Sequence, residues 1–236
     1  MLKVKNLPNI ITCLNLYAGC LSCLMTLTYN HYIGAFYFIL LAACFDFLDG
    51  FSARLLKAYS PLGAQLDSLA DVISFGLAPG FMIYSFLFDS SAAVQFGAYI
   101  PFCAFLIPVF AALRLAKFNV DSRQTSSFLG LPVPANALFW GALIPSIPLS
   151  ENNYIFWTFF VVALVIIFSI LMVSELPMFS LKFTHYKWIG NQYPYIMILI
   201  ALFLTIFFQL SGICLAIVCY IFLSLIRYVL VKNKKA

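Results

Sequence analysis

Charge is what this sequence lacks most: Asp, Glu, Lys and Arg make up 9% of its 236 residues, where a soluble domain carries about a quarter. A chain that is also 64% hydrophobic cannot cover its own surface with polar groups. That excludes an ordinary water-soluble domain and makes the bilayer its solvent. Long polar–apolar alternation is missing too, which excludes a transmembrane barrel. What remains is helices, each needing roughly 20 apolar residues to span and satisfying its own backbone in lipid. Histidine is limited to His31 and His185, one in an outer turn and one in a loop, so neither is a candidate catalyst. The seven cysteines fall within apolar segments. Cys20 and Cys23 form a CxxC with no second pair or histidine cluster, so they read as packing residues. No small-residue cleavage site follows the first apolar segment, which carries Asn9, Thr12 and Asn15; the expectation is a retained helix.

Breaks at polar clusters and at Pro/Gly predict an all-α, polytopic membrane bundle. About eight helices are expected, over residues 8–29, 32–57, 62–88, 92–118, 133–149, 152–174, 192–209 and 211–231. The fifth is short and interrupted by Pro145 and Pro148. No repeat or soluble segment divides the chain, so residues 1–236 are expected to form one membrane domain, with a core of about 8–174 and additional helices at about 192–231.

All 13 Lys and Arg fall on one side of such an arrangement. They are Lys3 and Lys5, Arg54 and Lys57, Arg114, Lys117 and Arg123, Lys182 and Lys187, and Arg227, Lys232, Lys234 and Lys235. The opposite connections hold His31, Asp89 and Glu151. By the positive-inside rule both termini are cytosolic. The net charge of +5 expresses this bias and implies no nucleic acid; the basic tail suits anionic lipid. Trp140, Trp157 and Trp188 read as interface or packing residues, and Glu175 as a loop carboxylate.

Of eight acidic residues, four lie in the stretch DFLDGFSARLLKAYSPLGAQLDSLAD over 46–71. Asp46 and Asp49 are three apart and Asp67 and Asp71 four apart, so each pair shares a helix face. The turn around Ser60 and Pro61 makes the two helices antiparallel neighbours. Intramembrane acids cost about 2.5–3.5 kcal/mol each on insertion scales and default to function. Four that converge call for cations, and hard divalent ions prefer such oxygen ligands. Gly50 and Ala53 keep one face low beside Asp49, Gly63 permits close helix contact, and Arg54 offers a fork for phosphate.

This pattern, Asp46-x-x-Asp49-Gly50-x-x-Ala53-Arg54 followed by Gly63-x-x-x-Asp67-x-x-x-Asp71, resembles the signature of the CDP-alcohol phosphotransferases. The resemblance implies a six-helix core and two divalent cations. Asp46, Asp49 and Asp67 would hold the first, and Asp46, Asp67 and Asp71 the second. Magnesium, manganese and calcium all suit oxygen ligands. It further implies that Asp71 is the general base, and that Gly50, Arg54 and Ser60 contact the donor, with Ala53 and Gly63 beside them. Asn9 and Thr12 resemble the nucleotide-reaching stretch before the first helix; as residues alone they also fit a helix cap and a backbone-bonded threonine.

NLYAG (15–19), DSLADVISFGLAP (67–79), RLAKFN (114–119), GLPVPANA (130–137) and LMVS (171–174) resemble the phosphatidylserine synthase branch of that family. The branch implies CDP-diacylglycerol as donor, L-serine as acceptor and CMP as the second product. Arg114 and Asn119 are then the acceptor contacts, although Arg114 and Lys117 also fit a plain topology anchor. The same resemblance implies a cell-membrane enzyme with its site facing the cytosol, and a homodimer. Glycerol 3-phosphate or an inositol phosphate is the alternative acceptor, since Lys57, Arg114, Lys117 and Arg123 offer cations for an extra phosphate. An ion-coupled transporter is the alternative of another class, and predicts acids at the bilayer midplane with helices broken there. A scaffold without chemistry leaves the signature unexplained.

Overall fold

The computed structural model describes residues 6–91, 97–121, 128–148, 153–179 and 191–233. Lys3, Lys5, Arg123, Glu151, Lys182, His185, Lys187, Trp188, Lys234 and Lys235 lie outside them, as does the side chain of Lys232.

Helix α1 (Leu7–Tyr29) starts on Pro8, at a position where no backbone donor is needed. It stops at Asn30, whose left-handed φ of 48° lets its N–H close onto the Met25 and Thr26 carbonyls. His31 then caps α2 (Tyr32–Leu55) by accepting the Gly34 N–H at 3.0 Å. So short a turn makes α1 and α2 antiparallel, and Ser22 fastens them by donating to the Ala35 carbonyl at 2.8 Å. A second turn, with Lys57 at φ 49°, leads to Ser60, which caps α3 (Pro61–Asp71) through the Gly63 N–H at 3.0 Å.

The third rod is α3, a π-helical turn over Val72–Leu77, and α4 (Ala78–Ser91). Of the long apolar runs among the described residues, its most apolar stretch is the most buried. Phe75, Met82, Ile83, Phe86 and Leu87 are buried within the rod, in one core cluster with Phe36 and Ile39 of α2. A 3₁₀ segment, Gly97–Phe105, runs into α5 (Leu106–Val120). Gly76 lets α5 lie close, since a β-carbon there would sit 3.2 Å from Ala111 Cβ and Pro108 Cα.

Helix α6 (Val133–Ser146) is buried around Trp140, whose indole donates to Asn136 Oδ1 at 3.1 Å. A two-residue ladder, β1 (Phe128–Leu129) on β2 (Pro177–Met178), closes one end beside α7 (Tyr154–Val173). Gly130 follows β1 at φ 76°, where a β-carbon would meet the Ser174 carbonyl at 2.9 Å.

The last run, α8 (Gln192–Asn233), turns back on itself at Gln209, which has φ 51° and ψ −125°. Gly212 then abuts the Leu204 and Thr205 backbone. The Arg227 guanidinium lies 5.3 Å from the Tyr193 ring centre, a contact that a straight helix would hold roughly 50 Å apart. The break expected between residues 209 and 211 is thus the turn at Gln209, between two helical arms.

Among the described residues, six helical runs are long and apolar enough to cross a membrane: Leu7–Tyr29, Tyr32–Leu55, Pro61–Ser91, Gly97–Val120, Tyr154–Val173 and Gln192–Leu230. The expected fifth helix exists as α6, with only 14 residues. The cysteines are free; Cys13, Cys20 and Cys44 are exposed on helix faces and only Cys214 is buried.

Candidate active site

The turn at residues 56–60 brings the end of α2 alongside the start of α3. One carboxylate oxygen each of Asp46, Asp49 and Asp67 then lies within 4.8 Å of the others. Asp49 is buried, and the other two are half-buried. From α1, Thr12 Oγ1 stands 2.7 Å from Asp49 Oδ2 and 3.0 Å from the Pro8 carbonyl. Thr12 is thus both a backbone-bonded threonine and a clamp on one acid.

Asp67 Oδ1 is buried and has no hydrogen-bond partner. Among the described residues no lysine or arginine forms an ion pair with Asp49, Asp67 or Asp71. Three carboxylates this close, in a partly dry site, need a positive charge to stay ionised together. Their all-oxygen donor set and the orphaned Asp67 oxygen fit a hard divalent cation.

Asp71 is buried one turn beyond Asp67. It stands outside the three-oxygen cluster, within electrostatic reach of Asp46, Asp67 and Asp49. Its Oδ1 accepts a hydrogen bond from Asn15 Nδ2 at 3.2 Å. The π-helical turn begins at the next residue, and Ser74 within it donates to the Asn15 carbonyl at 3.0 Å. Glycine at 19 allows this seam: a β-carbon would come within 2.7 Å of Ser74 Cα. An extra residue in the turn re-aims the side chains beside it, a frequent device at functional sites.

A cavity of about 220 Å³ opens beside Asp49 and Asp67. Asn9, Thr12, Gly50, Ala53, Ser60 and Gly63, six of the seven positions expected to meet the donor, line it. The seventh, Arg54, is exposed and is not part of the lining. A β-carbon on Gly50 would meet nothing within 4 Å, so the space over it is open to a ligand. Gly63 instead permits contact, since a β-carbon there would lie 3.0 Å from Asn9 Oδ1 and Ser60 Oγ. Asn9 is not a cap; Asn6 precedes the helix, without a side-chain capping bond. The first residues of α1 and of α3 both edge the cavity, and two helix N-termini favour an anion.

The two expected acceptor contacts differ. Arg114 is buried, within electrostatic reach of Asp71 and Tyr220, and its Nε has no partner. Asn119 is exposed and bonds Ser68 Oγ of α3 at 2.9 Å, tying the end of α5 to the site. Lys117 pairs with Glu175 at 3.6 Å.

Asn15, Ser74, Gly19 and Tyr220 were not among the expected site residues. A polar Asn15 within an apolar run was the available signal. Tyr220 gave none, being one tyrosine among thirteen; its hydroxyl donates to the Phe179 carbonyl at 2.9 Å beside Arg114.

The family model described as CDP-alcohol phosphatidyltransferase matches residues 5–207. The CDP-diacylglycerol–serine O-phosphatidyltransferase of Helicobacter pylori is 29% identical over 242 residues, covering 97% of this chain and 96% of its own. The enzyme of that name from Methanocaldococcus jannaschii is 33% identical over 174 residues, 74% of each chain. The archaetidylserine synthase of Methanothermobacter thermautotrophicus is 39% identical over 134 residues, 56% of this chain and 54% of its own.

Proposed function

This chain belongs to the CDP-alcohol phosphatidyltransferase family, and from that premise we propose that it transfers the phosphatidyl group of CDP-diacylglycerol to the hydroxyl of L-serine. The products are phosphatidylserine and CMP. The observation that carries the reading is the convergence of Asp46, Asp49 and Asp67 at the rim of a cavity lined by the expected donor-binding residues. The relatives bearing the serine transferase name support the choice of acceptor.

Asp46, Asp49 and Asp67 would hold one divalent cation, and Asp46, Asp67 and Asp71 a second. Bound there, such ions neutralise the donor's pyrophosphate and the charge that develops on it. Magnesium or manganese fits the site, and calcium shares its ligand chemistry. The cavity floor at Gly50 and Ala53 receives the nucleotide end, with Asn9, Thr12, Ser60 and Gly63 around it. Asp71 accepts the proton of the serine hydroxyl as that oxygen bonds to the phosphorus carrying diacylglycerol. The bond from this phosphorus to the bridging oxygen breaks, and CMP leaves with both bonding electrons. Arg114 faces the serine carboxylate, with Asn119 at the pocket's edge.

The chain is read as one integral membrane domain over 1–236, with core 8–174 and additional helices 192–231. Each arm of the α8 hairpin and the short α6 count as membrane helices, which gives eight and leaves both termini cytosolic. The site then faces the cytosol at the cell membrane, where CMP is released while the lipid product stays in the bilayer. The assembly is a homodimer.

The test is CMP release from CDP-diacylglycerol by the purified protein with each acceptor. Release that requires serine supports the reading. Release with glycerol 3-phosphate and not serine overturns the acceptor alone; no release with any acceptor and divalent ion overturns the enzyme.

A further inference from the structure

Two buried polar atoms around Asp71 are left without partners: Asn15 Oδ1, an acceptor, and Arg114 Nε, a donor. Asn15 is fully buried and Arg114 is 7% exposed. Buried polar groups are normally paired, and those that are not need a reason. The backbone of Asn15 is held in place. Its backbone carbonyl is held by Ser74 Oγ at 3.0 Å, and the close approach at Gly19 pins α1 to the π-helical turn. The direction of its amide is fixed as well. Nδ2 donates to Asp71 Oδ1 at 3.2 Å, which turns the amide oxygen away from that bond.

The result is a carboxylate with an unfilled acceptor on the residue that bonds it and an unfilled donor on an arginine within its electrostatic reach. Resting on the reading above, we propose that Asn15 is a specificity-determining residue that receives the ammonium group of the amino-acid acceptor on its Oδ1. Its Nδ2 meanwhile holds Asp71 Oδ1, so that Asp71 Oδ2 meets the hydroxyl. A 2-amino-3-hydroxy acid carries ammonium, hydroxymethyl and carboxylate on one carbon. These three groups match the Asn15 oxygen, Asp71 and the Arg114 guanidinium in turn. Glycerol 3-phosphate has no ammonium and would leave the Asn15 oxygen buried and unpaired. Sites built around a polar partner reject ligands lacking it far more strongly than apolar pockets do.

The test uses the full-length protein with CDP-diacylglycerol, in wild-type, Asn15→Ala and Arg114→Ala forms. Serine is the substrate, and two fragments of it are the competitors. Ethanolamine keeps the ammonium and hydroxyl; glycerate keeps the hydroxyl and carboxylate. Asn15→Ala is expected to raise the serine KM and the ethanolamine inhibition constant by about tenfold or more. Its glycerate inhibition constant and donor KM should stay within about twofold of wild type. Arg114→Ala should show the reverse fragment preference. Equal weakening of both fragments by Asn15→Ala overturns the proposal, as does a fall in kcat with the serine KM unchanged, which would make Asn15 only a positioning residue for Asp71. Should the alanine variant not be recovered folded, as judged by stabilisation with CDP, Asn15→Ser must show the same split. A wild type that releases no CMP with serine would overturn the parent reading as well, so the two failures are distinguishable.

Discussion

The third rod and the C-terminal hairpin are both long apolar runs, yet they meet opposite surroundings. In Pro61–Ser91, 61% of the most apolar stretch is buried within the protein; in Gln192–Leu230 the figure is 11%. The hairpin is the more hydrophobic of the two, with a mean hydropathy of 2.5 against 1.5. In a bilayer, hydrophobicity marks what may touch lipid, while small and polar residues mark what must touch protein. Ala70, Asp71, Ser74, Gly76 and Ala78 are buried on the third rod, whereas Leu202, Phe203, Ile206 and Phe207 of the hairpin are exposed. The candidate site lies where hydropathy falls.

That contrast can be attacked from its strongest side first. Asp71→Asn keeps the shape and removes the proposed base, and is expected to lower turnover by about 10²–10⁴-fold. CDP should still stabilise the variant in a thermal melt; turnover near wild type would remove Asp71 from the chemistry. Arg114→Ala comes next, raising the serine KM by about 10–100-fold while the donor KM moves little. Equal shifts in both would return Arg114 to a folding or topology role.

Gly19→Val drives a branched side chain into the Ser74 backbone. It should destabilise the fold by about 1–3 kcal/mol, read as a lowered midpoint for unfolding in mild detergent. Ile206→Val on the hairpin is the smallest change, at about 0.5 kcal/mol or less with unaltered turnover, because Ile206 is 65% exposed. A large effect there would mean that the hairpin face is covered by something other than lipid.

The clustering of Asp46, Asp49 and Asp67 was legible because its spacing is local: two helices joined by a short turn bring them together. The cavity lining followed from the same segment, with Asn9 and Thr12 added by resemblance. Arg54 shows the limit, since a position within a signature does not fix which way an arginine points. Asn15 carried only the signal of a polar residue in an apolar run, and Ser74 and Tyr220 carried none, for another reason. Their partners lie 56 and 59 positions away for the Asn15 bonds and 41 away for Tyr220, and no local pattern encodes such contacts. The π-helical turn is similarly a product of packing, formed where Ser74 bonds α1 and Gly76 meets α5. The hairpin at Gln209 was foreseen as a break, but its reversal shows only in contacts such as Arg227 on Tyr193.

The central claim is that Asp46, Asp49 and Asp67 form a divalent-cation site. Manganese titration followed by electron paramagnetic resonance, on purified protein with CDP present, tests it without relying on turnover. Saturable manganese binding by the wild type, displaced by magnesium and lost in Asp67→Asn, is the expected result. Manganese that binds the variant as tightly as the wild type, or does not bind the wild type at all, would contradict it.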